Sequence, residues 1–220
     1  MKQTTKNKGN VRQNQTATAS KGNVRAAGSH NGKGGQESLL EKFFTDQLKD
    51  IYYAEQQLLK ALTEMKNAAT TEELEDAFAN HHKQTERHIT RLEKVFTMLG
   101  KTAEGKKCEA MDGLIKEGQS IIKETKKGTM TRDAALIIAA QKVEHYEIAT
   151  YGGLVQLAIT LKKQNAANLL DKTLQEEEDT DTLLTDIAEQ HINMEAEEEG
   201  EGEDDENDET EKPKVSATAF

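Results

Sequence analysis

Four stretches of this chain repeat apolar residues at alternating spacings of four and three, each for roughly 30 residues or about eight turns of α-helix. The rows read Phe44, Leu48, Ile51, Glu55, Leu58, Leu62, Met65; then Leu74, Phe78, His81, Thr85, His88, Leu92, Val95, Leu99. The third is Ile137, Gln141, Glu144, Ile148, Tyr151, Val155, Ala158, and the fourth Leu170, Leu174, Glu177, Asp181, Leu184, Ala188, His191. That spacing is the inward seam of helices packed side by side. Composition agrees: the 220 residues hold one Pro and no Trp, and Ala, Leu, Glu, Lys and Gln fill the middle of the chain. These are strong helix formers, so the fold class is all-α.

Helix ends can be placed by capping chemistry. Ser38 and Glu41 have capping-box spacing at the start of the first helix, which should run to about residue 68. Thr70 and Glu73 repeat it at once for the second, and Gly100 supplies the left-handed stop. A link of about thirty residues follows, carrying an amphipathic segment from about Cys108 to Lys123. The third helix is expected over about 131–162 and the fourth over about 165–193. Two tight hairpins joined by one long, helix-containing crossover between the second and third helices is the connectivity of ferritin-like four-helix bundles.

Every row is interrupted near its middle by acids or histidines. In an antiparallel hairpin, positions equidistant from the turn face one another, which sets Glu55 between His81 and His88 and Glu144 opposite Asp181. Gln84 lies beside Thr85 on the rim of the same face. Glu55, Glu144, Glu177 and Asp181 in one buried layer create an electrostatic problem, because two like charges about 5 Å apart repel by roughly 3 kcal/mol even at an effective dielectric near 20. Bound protons or two divalent cations would compensate. Carboxylates with imidazole suit iron or manganese. The alternative is a purely structural polar network that fixes helix register.

Outside this central region, residues 1–36 lack acids and carry Lys2, Lys6, Lys8, Arg12, Lys21, Arg25 and Lys33, a composition that buries nothing and is expected to stay disordered. Without interleaved aromatics, and beside a chain of net charge −11, a solvated tail is favoured over nucleic-acid contact. Residues 195–220 begin with a run of Glu, Asp and Gly and form an acidic tail, leaving 37–194 as the folded domain. No signal-type apolar run or membrane-length segment is present, and the lone Cys108 suits a reducing compartment, so a cytoplasmic location is expected. Cys108 itself reads as a small buried hydrophobe. Ser-His-Asp sets, phosphate-binding glycine loops and zinc-type spacings are absent from the sequence. Gly152-Gly153, inside the third row, is expected to allow close helix approach.

Particular segments carry a resemblance. Asp50-Ile-Tyr-Tyr-Ala-Glu55-Gln-Gln-Leu, Lys107-Cys-Glu-Ala-Met-Asp-Gly-Leu114, Ala140-Gln-Lys-Val-Glu144-His-Tyr-Glu147-Ile-Ala-Thr-Tyr-Gly152 and Thr173-Leu-Gln-Glu-Glu177 through Thr180-Asp181 resemble the YciE/YciF family of ferritin-like bacterial stress proteins. The resemblance implies a rubrerythrin-like four-helix fold, homodimers and a link to stress, with no defined reaction. Ferritin-like di-iron sites use one Glu on each of two helices and Glu-x-x-His on the others. Glu55 and Glu144 fit the single-Glu roles. The second helix offers Gln84 and His88, with His81 a turn away, and the fourth offers Glu177 or Glu178 with Asp181 and no following His, so neither pair is a true Glu-x-x-His. Glu147 and His145 flank Glu144 as partners that orient a ligand or as surface charge. Two functions follow as expectations: a metal protein handling iron, oxygen or peroxide, or a non-catalytic structural or interaction protein in which this belt is a degenerate metal site.

Overall fold

The computed structural model describes residues 37–200, and the basic arm and most of the acidic tail lie outside them. Ser38 caps α1, Leu39–Ala68, with its hydroxyl accepting from the Glu41 amide at 3.1 Å. The second cap differs by one residue from the expected one: Thr71, not Thr70, accepts from Leu74 at the start of α2, Glu72–Met98. The reason is tertiary. Asp133, fully buried on a distant helix, accepts from the Thr70 and Thr71 amides at 2.7 and 2.8 Å and from the Thr71 hydroxyl at 2.8 Å, so this helix start is tied down from outside.

At the far end of α2, Gly100 takes φ +67 and Lys101 donates to the Phe96 carbonyl, the left-handed stop expected there. The crossover contains α3, Glu109–Glu124, capped by Cys108. After it come α4, Met130–Thr160, and α5, Gln164–Ile187. A π-helical turn, Ala188–Ile192, leads into α6, Asn193–Glu198. The helical chain therefore passes the boundary expected at residue 195. Its end is held because the Glu199 carboxylate accepts from the Met130 and Thr131 amides at the start of α4.

α1 pairs with α2 and α4 with α5; α2 also packs on α5 and α1 on α4, which closes a four-helix bundle, while α3 lies across α1 and α4. Phe44, Leu48, Leu92, Val95 and Phe96 fill the core toward one end of the bundle, and Leu62, Leu74, Leu136 and Ile137 toward the other. Each such side chain stabilises the fold by about 1.5–3 kcal/mol relative to exposure. Between these apolar layers lies the polar one.

Gly152 and Gly153 do not mark a close helix contact. A Cβ at either position would meet no atom within 4 Å among the described residues, and Gly153 is solvent-exposed. Cys108 is buried as anticipated, but it is more than a filler: its sulfur accepts from the Met111 amide and lies 3.0 Å from the Tyr146 hydroxyl. Among the described residues no helix is long and apolar enough to cross a membrane.

Candidate metal centre

The polar layer is built by all four bundle helices. α1 contributes Glu55, α2 His81 and His88, α4 Glu144 and Glu147, and α5 Glu177, each at most 2% exposed. Two groups emerge in which ligand atoms lie within 4.8 Å of one another: His81, Glu144, Glu147 and Glu177, and Glu55, His88 and Glu177. Glu177 belongs to both. The two hairpins bring their polar residues to one height, with His81 Nε2 of one hairpin 3.3 Å from Glu144 Oε1 of the other.

Each histidine is oriented by one ring nitrogen and presents the other. His81 Nδ1 lies 3.3 Å from both Gln84 Oε1 and the Thr180 hydroxyl; donation to Gln84 leaves a lone pair on Nε2, which faces Glu144 and, at 3.8 Å, Glu177 Oε2. His88 Nε2 lies 2.8 Å from Glu176 Oε2, and Arg91 holds that carboxylate through two contacts of 2.6 and 2.9 Å. His88 Nδ1 then sits 3.0 Å from Glu177 Oε1 and 3.5 Å from Glu55 Oε1. A carboxylate behind the imidazole is the arrangement that orients metal-bound histidines. The Tyr151 hydroxyl donates to Glu55 Oε1 and leaves Oε2 without a partner.

The inward-facing atoms are unsatisfied. Glu55 Oε2, His81 Nε2, His88 Nδ1, Glu144 Oε2 and both oxygens of Glu147 and Glu177 are buried with no hydrogen-bond partner among the described residues. His88 Nδ1 and Glu177 Oε1 are close enough to bond, yet they miss hydrogen-bond alignment. Burial of so many polar atoms costs about 1–3 kcal/mol each, and more where charged, so something must answer them.

Protonation is one answer. Burial first, then the neighbouring carboxylates, push Glu144 and Glu147 well above the usual carboxylate range. Glu55 is raised by burial against the pull of His88. Burial lowers His81 to about 4, whereas for His88 the pull of Glu177 and Glu55 overcomes burial and raises it to about 10. Burial also opposes ionisation of Glu176, but Arg91 and His88 outweigh it and hold Glu176 at about 2. Bound cations would be the other answer: ionised, the four carboxylates of Glu55, Glu144, Glu147 and Glu177 would balance two divalent ions, with the two histidines neutral. Orphaned oxygens with imidazole nitrogens fit hard-to-borderline first-row cations such as iron or manganese.

Two candidate ligands stand apart from the buried layer. Asp181 lies at the rim, its carboxylate 3.2 Å from the exposed His145 and 3.3 Å from Gln141 Nε2. Gln84 touches the rear nitrogen of His81 rather than facing the carboxylates. Thr180, not Asp181, is the buried neighbour of Glu177, because α5 turns its 173, 177, 180, 184 row inward in place of 174, 177, 181, 184. Glu147 takes the fourth carboxylate place. Sequence reasoning missed the Arg91–Glu176 support and the Tyr151 donor; the polar run at 173–181 held the first, with nothing to select Glu176 from its neighbours.

A family profile described as "Domain of unknown function (DUF892)" matches residues 39–197. The chain belongs to this family. Protein YciF of Escherichia coli (strain K12) is 45% identical over 159 residues, spanning 72% of this chain and 95% of its own. The crystal structure of YciF, described there as a stress protein, aligns with TM-score 0.65 at 46% identity over 68% of this chain and 94% of that one. YcfI of Rhodopseudomonas palustris, named as a candidate structural protein, aligns with TM-score 0.66 at 38% identity over 70% of this chain and 97% of its own. With this DUF892 member's helices arranged as two hairpins and a helical crossover, the fold is a ferritin-like helical bundle.

Proposed function

We propose that this DUF892 protein holds two divalent first-row cations, iron or manganese, between its buried carboxylates and histidines, and that it handles iron, oxygen or peroxide under stress. The observation that carries this is the convergence of eight unpartnered, buried oxygen and nitrogen atoms from four helices, with both histidines braced from behind. Such bracing is superfluous for a core that needs only register and is what a metal ligand requires. When bound, the cations would supply redox and Lewis-acid chemistry. This chain's residues would fix the ligands, exclude bulk water through the Phe44–Leu48 and Leu62–Leu74 ends of the core, and hold a proton on the Tyr151 hydroxyl beside Glu55. The description of the E. coli relative as a stress protein supports the setting. A homodimer in the cytoplasm, implied by the resemblance and the lone cysteine, completes the proposal.

Elemental analysis of protein purified without chelator, with melting followed on addition of Fe(II) or Mn(II), tests it. About two equivalents of metal and a rise in Tm are expected; metal-free protein with an unmoved Tm refutes it. A structural role is the second reading, favoured by the description given to the R. palustris relative and by the lack of a Glu-x-x-His pair.

A further inference from the structure

Glu177 presents its two carboxylate oxygens to different histidines: Oε2 lies 3.8 Å from His81 Nε2 and Oε1 3.0 Å from His88 Nδ1. Both histidines come from α2, seven residues apart, and their ring centres are 6.3 Å apart. A centre with one histidine from each of two hairpins would be close to symmetric about its middle. This one is not. On the His81 side stand Glu144 and Glu147 as well as Glu177; on the His88 side, among the described residues, only Glu55 joins Glu177.

The two sides also differ in how much of their bonding capacity is already used. Glu147 has both oxygens buried and unpartnered, and Glu144 has one. Glu55 Oε1 is occupied by the Tyr151 hydroxyl. The gain from placing a cation is greatest where the most carboxylate oxygens lack any other partner, and the first cation bound raises the electrostatic cost of the second.

Resting on the proposed metal function, we infer that the centre is two unequal sites that share Glu177: a four-group site of His81, Glu144, Glu147 and Glu177 that would fill first, and a three-group site of Glu55, His88 and Glu177 that would fill second. The first ion is the retained one. The second, with fewer protein ligands, exchanges with solution, and small oxygen-bearing ligands complete its coordination.

Titration of metal-free, full-length protein with Mn(II), following free Mn(II) by paramagnetic resonance and heat by calorimetry, separates the sites. Two steps are expected, differing at least about tenfold in Kd. Glu147→Gln should weaken the tight step by about 100-fold, and Glu55→Gln should erase the weak step while leaving the tight one within about threefold, each variant first shown to melt cooperatively without metal. Two equal steps, one step only, or loss of the tight step in Glu55→Gln overturns the unequal-site inference while the metal function stands. Wild type that binds no Mn(II) and no Fe(II) overturns both.

Discussion

Replacing Glu144 by Gln should change stability in opposite directions with and without metal. Its ligand oxygen lies within 4.8 Å of those of Glu147 and Glu177, so an ionised pair repels by about 3.5 kcal/mol at an effective dielectric near 20. Protons taken up by the raised carboxyls relieve part of that, leaving a gain of about 1–3 kcal/mol when one acid is made neutral, or roughly 3–9 °C in Tm for a domain of this size. Metal-loaded protein should behave the other way: a proposed ligand would be lost, and a 100-fold weaker affinity would remove about 2.7 kcal/mol of metal-linked stability. Differential scanning calorimetry in chelator and in saturating Mn(II), paired with elemental analysis, reads both signs. A Tm lowered equally in both conditions would mean that Glu144 is a structural hydrogen-bonding group and not a metal ligand.

The pH dependence of metal-free protein follows from two sets of groups. Glu144, Glu147 and His88 hold protons that the unfolded chain has released, so their stabilisation is complete at low pH and is lost as pH rises through their raised folded values, about 10 for His88. His81, lowered to about 4, and Glu176, lowered to about 2, contribute stability that is present above their unfolded values and is lost only in acid. Between about pH 7 and pH 9 only the first set titrates, so Tm in chelator should fall across that interval and Mn(II) should flatten the fall; a flat profile in chelator contradicts the assignment. Asp133→Ala removes three contacts to the start of α2 from a fully buried carboxylate and should cost about 3–5 kcal/mol in urea unfolding, whereas a loss below about 1 kcal/mol would show that the cap is replaceable. Gly153→Ala, with open space at its Cβ, should stabilise the helix by about 0.5–1 kcal/mol; destabilisation would reveal a neighbour that the single chain does not contain.

The all-α class, the two hairpins, the helical crossover and the Ser38 and Gly100 helix ends follow from periodicity and capping alone, because these are local properties of the chain. Glu55, His81, His88, Glu144 and Glu177 could also be read as inward, since each falls on an apolar row whichever way the spacing is phased. What the linear pattern leaves open is phase. With 3.6 residues per turn, rows of 174, 177, 181 and 173, 177, 180 are equally good seams on α5, and only packing against α2 and α4 chose Thr180 over Asp181; on α4 the same freedom brought Glu147 inward in full and left Gln141 and Ile148 half-buried. The supports behind the histidines and the buried anchor of α2 are likewise tertiary. Glu176 meets His88 and Asp133 meets Thr71 across 88 and 62 residues of chain, and separations of that length carry no periodic trace.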